Sequence, residues 1–182
     1  MGKIDPSIKQ AIEQLPKKEL EKLVLKVAQA DKQFHDYLIV NYADKEFGEQ
    51  DLFKQAQSDI DSLLLKKYKG YSNELRGAKY LAACNKRITT FGNICKKKEL
   101  QMDLIMGVLD GVFSTYSDLL GTCFTSFDYQ TSLLLNKAIS LLQKKLHEDF
   151  RIEYEPKINK FLTILHSKSN HLDSIYRMPA NI

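Results

Sequence analysis

The sequence predicts an all-α protein, and three observations carry that expectation. Apolar residues recur at helical spacing through long uninterrupted stretches, and only eight Gly and four Pro punctuate 182 residues. The composition, 43% hydrophobic and 27% charged, is that of a globular chain and disfavours both disorder and a fibrous repeat. The length suits one domain, 1–182, able to bury a core without disulfides or metal, with 171–182 as a loose tail. Seven to eight helices are expected as consecutive antiparallel hairpins stacked into a short solenoid-like array; an irregular helical bundle is the alternative.

Asp5 caps and Pro6 opens a short first helix to Gln14, with Ile8, Ala11 and Ile12 on one side. Pro16 starts a second, whose Leu20, Leu23, Val24, Val27 and Ala28 keep the helical register, and Asp31 caps a third with Phe34, Tyr37 and Leu38 turned inward. The acidic connection from Ala43 to Asp51 lacks the Asp-x-Asp-x-Asp-Gly order and distal Glu of a calcium loop, so it reads as a solvated linker. Leu52, Phe53, Ala56, Ile60, Leu63, Leu64 and Tyr68 mark a helix of about five turns. Lys66, Lys67 and Lys69 close it before Gly70, a cationic last turn that complements the helix dipole. Ser72 or Asn73 starts the next helix, with Leu75, Ala78, Leu81, Ala82, Ile88, Phe91 and Cys95 along its inward stripe. Lys96, Lys97 and Lys98 follow as a solvated corner at its end.

The stretch from Leu100 to Phe124 reads as the central buried helix, apolar on most sides yet carrying Asp103, Asp110 and Asp118. Gly107, Gly111, Ser114, Thr115, Gly121 and Thr122 form a strip without bulk where another backbone can approach, so Gly107→Leu is expected to clash there. Thr125, Ser126 and Asp128 cap a helix to about Asp149, and Glu155 and Pro156 begin a last one through Ile158, Phe161, Leu162 and Leu165. The tail docks through Ile175 and Tyr176 or frays.

Lys and Arg number 27 against 23 Asp and Glu, a net charge of +4 with Arg only at Arg76, Arg87, Arg151 and Arg177; this is mild for a dedicated nucleic-acid binder. Cys84, Cys95 and Cys123 make an odd count without a CxxC pair, so reduced thiols in a cytoplasmic protein are expected and neither a disulfide framework nor a zinc site is. The N-terminus has no apolar signal core, no run of roughly 18 residues is free of charge, and Pro6 stands where a myristoylation motif after Gly2 needs Ser or Thr.

Several stretches together, namely LPKKELEKLV at Leu15 to Val24, the short segment with Phe34 and Tyr37, KYLAACNKRITTF at Lys79 to Phe91 and VFSTYSDL at Val112 to Leu119, resemble a family of small helical bacterial proteins, a domain of unknown function. That resemblance implies an all-helical fold of stacked hairpins and carries no activity or catalytic residue.

Walker, dinucleotide-fingerprint, nucleophile-elbow, kinase and HExxH motifs are absent, which disfavours an enzyme, and no cofactor or metal is expected. His35, His147, His166 and His171 stand without a motif, and Asp31 with His35 forms at most an i, i+4 surface pair. A non-catalytic protein-interaction module is the leading expectation, with another protein as partner. The second is a weak nucleic-acid or anionic-ligand binder, using Lys66, Lys67, Lys96, Lys97 and Lys98 with Tyr68 and Tyr71 interleaved. The third is a ligand or enzymatic cleft near Asp103 and Asp110, whose carboxylates otherwise reach water or pair with Arg76, Lys79 or Arg87.

Overall fold

The computed structural model describes residues 4–44, 48–169 and 172–182. The readings that fall on Gly2, on the middle of the acidic connection and on His171 lie outside the described residues. Among the described residues the chain is all-helical, with no strand and nine α-helices, eight of them seven residues or longer. These group into two compact units, Met1–Gly48 and Glu49–Ile182.

The first unit holds α1 (Pro6–Glu13), α2 (Lys17–Ala30) and α3 (Lys32–Leu38), followed by a wide π-type turn, Ile39–Ala43. Local chemistry sets their starts. Asp5 Oδ1 accepts the Ser7 N–H at 2.8 Å, and Asp31 Oδ1 accepts those of Gln33 and Phe34 at 2.8 and 3.1 Å. Asp31 is thus engaged as a cap, and the ring of His35 lies 3.4 Å from Asp36 instead. No residue of α1, α2 or α3 is buried, and the stripe of Ile8, Ile12, Leu20, Leu23, Val24 and Val27 stays exposed.

The second unit is built from α4 (Gly48–Leu64), α5 (Asn73–Ile94), α6 (Lys98–Ser114), α7 (Ser126–Lys144), α8 (Asp149–Ser169) and the short α9 (Asp173–Tyr176). Its hub is α7, which packs against α5, α6, α8 and α9. The strongest pairing, α5 with α7, joins helices that are not consecutive in the chain. Leu134, Leu135 and Ala138 of α7 and Ile88 and Phe91 of α5 are completely or almost completely buried. Lys137 of α7 reaches across to Asn85 and Thr89 of α5 at 2.6 and 2.5 Å. From the other side α4 is clasped to α5 by the Asp59–Arg87 ion pair at 2.6 Å and by the edge-on rings of Phe53 and Phe91.

Several boundaries differ from the sequence reading, each for a tertiary reason. The helix expected to run through Tyr68 stops at Leu64, because the connection 65–72 is drawn onto α5: Lys79 Nζ donates to the Lys69 carbonyl at 2.5 Å and Arg76 Nη1 to that of Gly70 at 3.0 Å. The stretch expected as one central helix to Phe124 ends at Ser114 and continues as a 3₁₀ turn, Ser117–Leu119. Gly121 then takes a left-handed φ of +75°, with its N–H held by Asp128. The last long helix starts at Asp149 rather than at Pro156, which lies inside it. The tail docks: Ile175 and Met178 are buried, and Asn159 and Ile182 exchange backbone and amide hydrogen bonds, while Tyr176 stays exposed.

The glycine strip also points the other way. A Cβ built on Gly107 or Gly111 meets no atom within 4 Å, so no neighbouring backbone approaches α6 closely there and the close packing on which the expected Gly107→Leu clash rested is not found. The glycine at a close helix contact is Gly77 of α5, where a Cβ would lie 2.9 Å from the Phe127 ring of α7. Two exposed or half-exposed glycines inside a helix carry only their entropic cost. Gly107→Ala is therefore expected to raise unfolding stability by about 0.5–1 kcal/mol in chemical denaturation, and a loss of stability would contradict the open environment of α6.

A candidate binding cavity between α4, α5, α6 and α7

The three lysine and aspartate groups singled out by the sequence separate in space. Lys96, Lys97 and Lys98 are engaged in holding helix ends. Lys98 Nζ donates to the carbonyls of Gly92 and Cys95 at 2.6 and 3.0 Å, closing the C-terminus of α5. Lys97 pairs with Glu49 at 3.2 Å, and the Lys96 N–H donates to the same carboxylate at 3.2 Å. Burial alone would raise the Glu49 pKa; these donors outweigh it, with the Cys95 thiol, and hold the carboxyl below its ordinary value. Cys95 and Cys84 are buried, and burial pushes both thiols up to about 11, so they are packed as protonated side chains.

Asp103 and Asp110 face α8 rather than the basic residues of α5. Asp103 accepts from the Tyr154 hydroxyl at 2.5 Å, and Asp110 lies 3.5 Å from Lys157. Burial and the adjacent Asp103 hold the Tyr154 phenol above its usual range, so it remains the donor. Asp110 is a solvent-facing ion pair, whereas Asp103 also borders a groove described below.

Lys66, Lys67 and Tyr68 do come together. The connection that carries them borders a cavity of about 560 Å³, a size usual for small-ligand sites. Its floor is apolar, formed by Leu81, Val112, Leu119 and Phe127, and Gly77 deepens it where any side chain would press on Phe127. Three phenols, Tyr68, Tyr80 and Tyr116, line the walls, and Lys66, Lys67 and Arg76 line its basic side. Arg76 is fixed by Gly70 and Asn73, at 3.0 and 2.5 Å, while neither lysine has a carboxylate within ion-pair distance among the described residues. The lining contains no Asp or Glu and no His, Cys, Ser or Thr. Residues 65–87 hold seven basic side chains and one acidic, a local excess larger than that of the whole chain.

Tyr68 is the informative residue. Its hydroxyl is buried and has no hydrogen-bond partner among the described residues. An unmet buried hydroxyl costs about 1–3 kcal/mol, and this one is turned to the interior near the buried Cys84 rather than to the cavity. Burial raises the pKa of Tyr68 and, more strongly, of Tyr80, where Cys84 and the neighbouring phenols add to the effect; both stay neutral donors at physiological pH. Tyr71, expected beside Tyr68, is instead exposed and packs edge-on to Phe124 at 5.5 Å.

A second groove, of about 370 Å³, shares Leu64, Tyr80, Val112 and Tyr116 with this cavity. It runs between α4 and α6 over Gly107 and Gly111 and is bordered at the far end by Asp61 and Asp103. The apolar floor, Tyr80 and Tyr116 and this groove escaped the sequence reading because α5, α6 and α7 contribute them from residues 77–127. Among the described residues, no helix is long and apolar enough to cross a membrane. Comparisons with family models, curated proteins and solved structures give no match.

Proposed function

We propose that the protein is a non-catalytic binding module for a small amphipathic anion, held in the cavity beside the connection 65–72. The observation that carries the reading is the pairing of two lysines without a carboxylate at ion-pair distance with a cavity whose remaining lining is largely apolar and phenolic. The apolar body of such a ligand gains by leaving water, and its anionic group meets Lys66, Lys67 and Arg76. Apolar residues beside the lysines in one cavity favour a small anion with an apolar body over a phosphodiester backbone, which needs a basic face rather than a cavity. Calorimetric titration with dodecanoate tests this. The double variant Lys66→Ala/Lys67→Ala is expected to bind about tenfold or more weakly with unchanged helicity, and equal affinity would remove the reading.

A protein-interaction module is the second reading, supported by the uncovered stripe on α1 and α2. It commits to a second copy of the chain as partner, whose identical stripe of Ile8, Ile12, Leu20, Leu23, Val24 and Val27 is an equally apolar surface to cover this one. Sedimentation is then expected to show concentration-dependent dimers that Val24→Asp abolishes, and a monomer at all concentrations would end this reading.

A further inference from the structure

A further groove, of about 470 Å³, lies between α4 and α5. Asp59, Ser62 and Leu63 fall at i, i+3 and i+4 on α4, so one face of that helix borders it. Ala83, Lys86, Arg87 and Thr90 fall at i, i+3, i+4 and i+7 on α5 and form the facing side. Lys66, just past the end of α4, completes the lining. Three cations, Lys66, Lys86 and Arg87, thus stand against the single carboxylate of Asp59. That carboxylate is engaged by Arg87, whose Nε donates to it at 2.6 Å. The contact uses one of the five N–H groups of the guanidinium. The terminal nitrogens have no protein partner among the described residues, although the side chain is only 18% exposed. Among the same residues, Lys66 and Lys86 have no carboxylate at ion-pair distance and the Thr90 hydroxyl has no hydrogen bond.

We infer that this groove is a second ligand site, taking the phosphate group of a small phosphomonoester. Charge and donor count select that group. A monoester near neutral pH carries close to two negative charges, which balances a lining of three cations and one carboxylate. Its three terminal oxygens accept from Arg87, the two lysines and Thr90 together. A carboxylate brings one charge and two oxygens, fewer than these donors can serve. Arg87 is the anchor: Asp59 holds its Nε side, and the planar end of the fork is left to meet two oxygens side by side. Leu63 and Ala83 border the space left for the body of the ligand. A phosphodiester has a single charge and no third terminal oxygen, so a nucleic-acid backbone satisfies the groove less well. The site stands apart from the amphipathic-anion reading, since Lys66 is the one residue that lines both spaces.

Magnetic-resonance titrations of the full chain at about pH 8, where the monoester is a dianion, test the assignment. The probes are glycerol 3-phosphate, dimethyl phosphate as the diester, and a single-stranded oligonucleotide without terminal phosphates. Glycerol 3-phosphate is expected to give saturable shifts at Ser62, Lys86, Thr90 and the Arg87 Nε–H, and dimethyl phosphate to bind about tenfold or more weakly. Lys86→Ala removes an exposed side chain with no protein partner among the described residues. It is expected to weaken the monoester about tenfold and to leave dodecanoate binding unchanged. Arg87→Lys, which keeps the charge and loses the fork, is expected to weaken it as well. Absence of shifts at these positions at about 10 mM monoester, equal affinity for the diester, or unchanged affinity of Lys86→Ala overturns the site. Tighter binding of the oligonucleotide through the same positions also overturns it and makes the groove a nucleic-acid face. Each of these outcomes is separate from the dodecanoate result, which tests the other cavity.

Discussion

Phe127→Ala is expected to cost about 3–5 kcal/mol of unfolding free energy, the largest loss that any substitution in the cavity region produces. The ring is 1% exposed, sits at the first turn of the hub helix α7, and fills the space that Gly77 leaves on α5. Removing it deletes apolar contact with α5 and leaves a void that α5 and α7, the most strongly paired helices and tied again at Lys137, can close only in part. The same geometry gives the loss a signature beyond its size. Gly77→Ala alone pushes a methyl against the ring, whereas in the Phe127→Ala background that methyl enters the vacated space. Denaturation of the two single variants and the double variant is expected to show strong non-additivity, with Gly77→Ala destabilising in the first context and neutral or stabilising in the second. Additive effects would mean that Gly77 and Phe127 do not define the α5–α7 contact.

Asp128→Ala is expected to cost about 2–4 kcal/mol, for a different reason. Asp128 is completely buried, accepts the Gly121 N–H with both oxygens at 3.2 and 3.1 Å, and accepts the Ser169 hydroxyl at 2.6 Å. It therefore ties the turn after α6, the start of α7 and the end of α8 to one point. Alanine leaves the donors without this acceptor, and the turn has no easy way to adjust. Gly121 is in the left-handed region, and a Cβ there would strike the Lys168 carbonyl. Asp128→Asn is expected to lose stability as well, since its amide turns a donor toward donors. A loss below about 1 kcal/mol for the alanine variant would contradict the role of this junction.

What the sequence revealed and what it hid divide along the range of the interactions. Asp5, Asp31 and Ser72 were legible as helix caps because their partners lie two or three residues away. The all-helical class was legible because apolar spacing is itself a local property. The end of α4 was hidden because Lys79 and Arg76, from the following helix, hold the connection out of helical form. Asp128 looked like a cap, yet its partners are Gly121 and Ser169, the second 41 residues away. Small residues along α6 suggested close packing, but absence of bulk is equally the mark of a groove floor, and only the neighbouring helices decide which. Within the candidate site, Lys66, Lys67 and Tyr68 stood out by adjacency, whereas the cavity beside them needed walls from three further helices. Asp103 was noticed as a carboxylate needing an explanation, and its hydrogen-bond donor, Tyr154, lies 51 residues on.

The central claim is that an amphipathic anion occupies the cavity beside Lys66 and Lys67. Intermolecular nuclear Overhauser effects between bound dodecanoate and the protein's aromatic rings test it most directly. The account predicts contacts from the methylene chain to the ring protons of Tyr80, Tyr116 and Phe127, and carboxylate-dependent shifts at Lys66 and Lys67. Contacts confined to the exposed stripe of α1 and α2, with the three rings untouched, would contradict it.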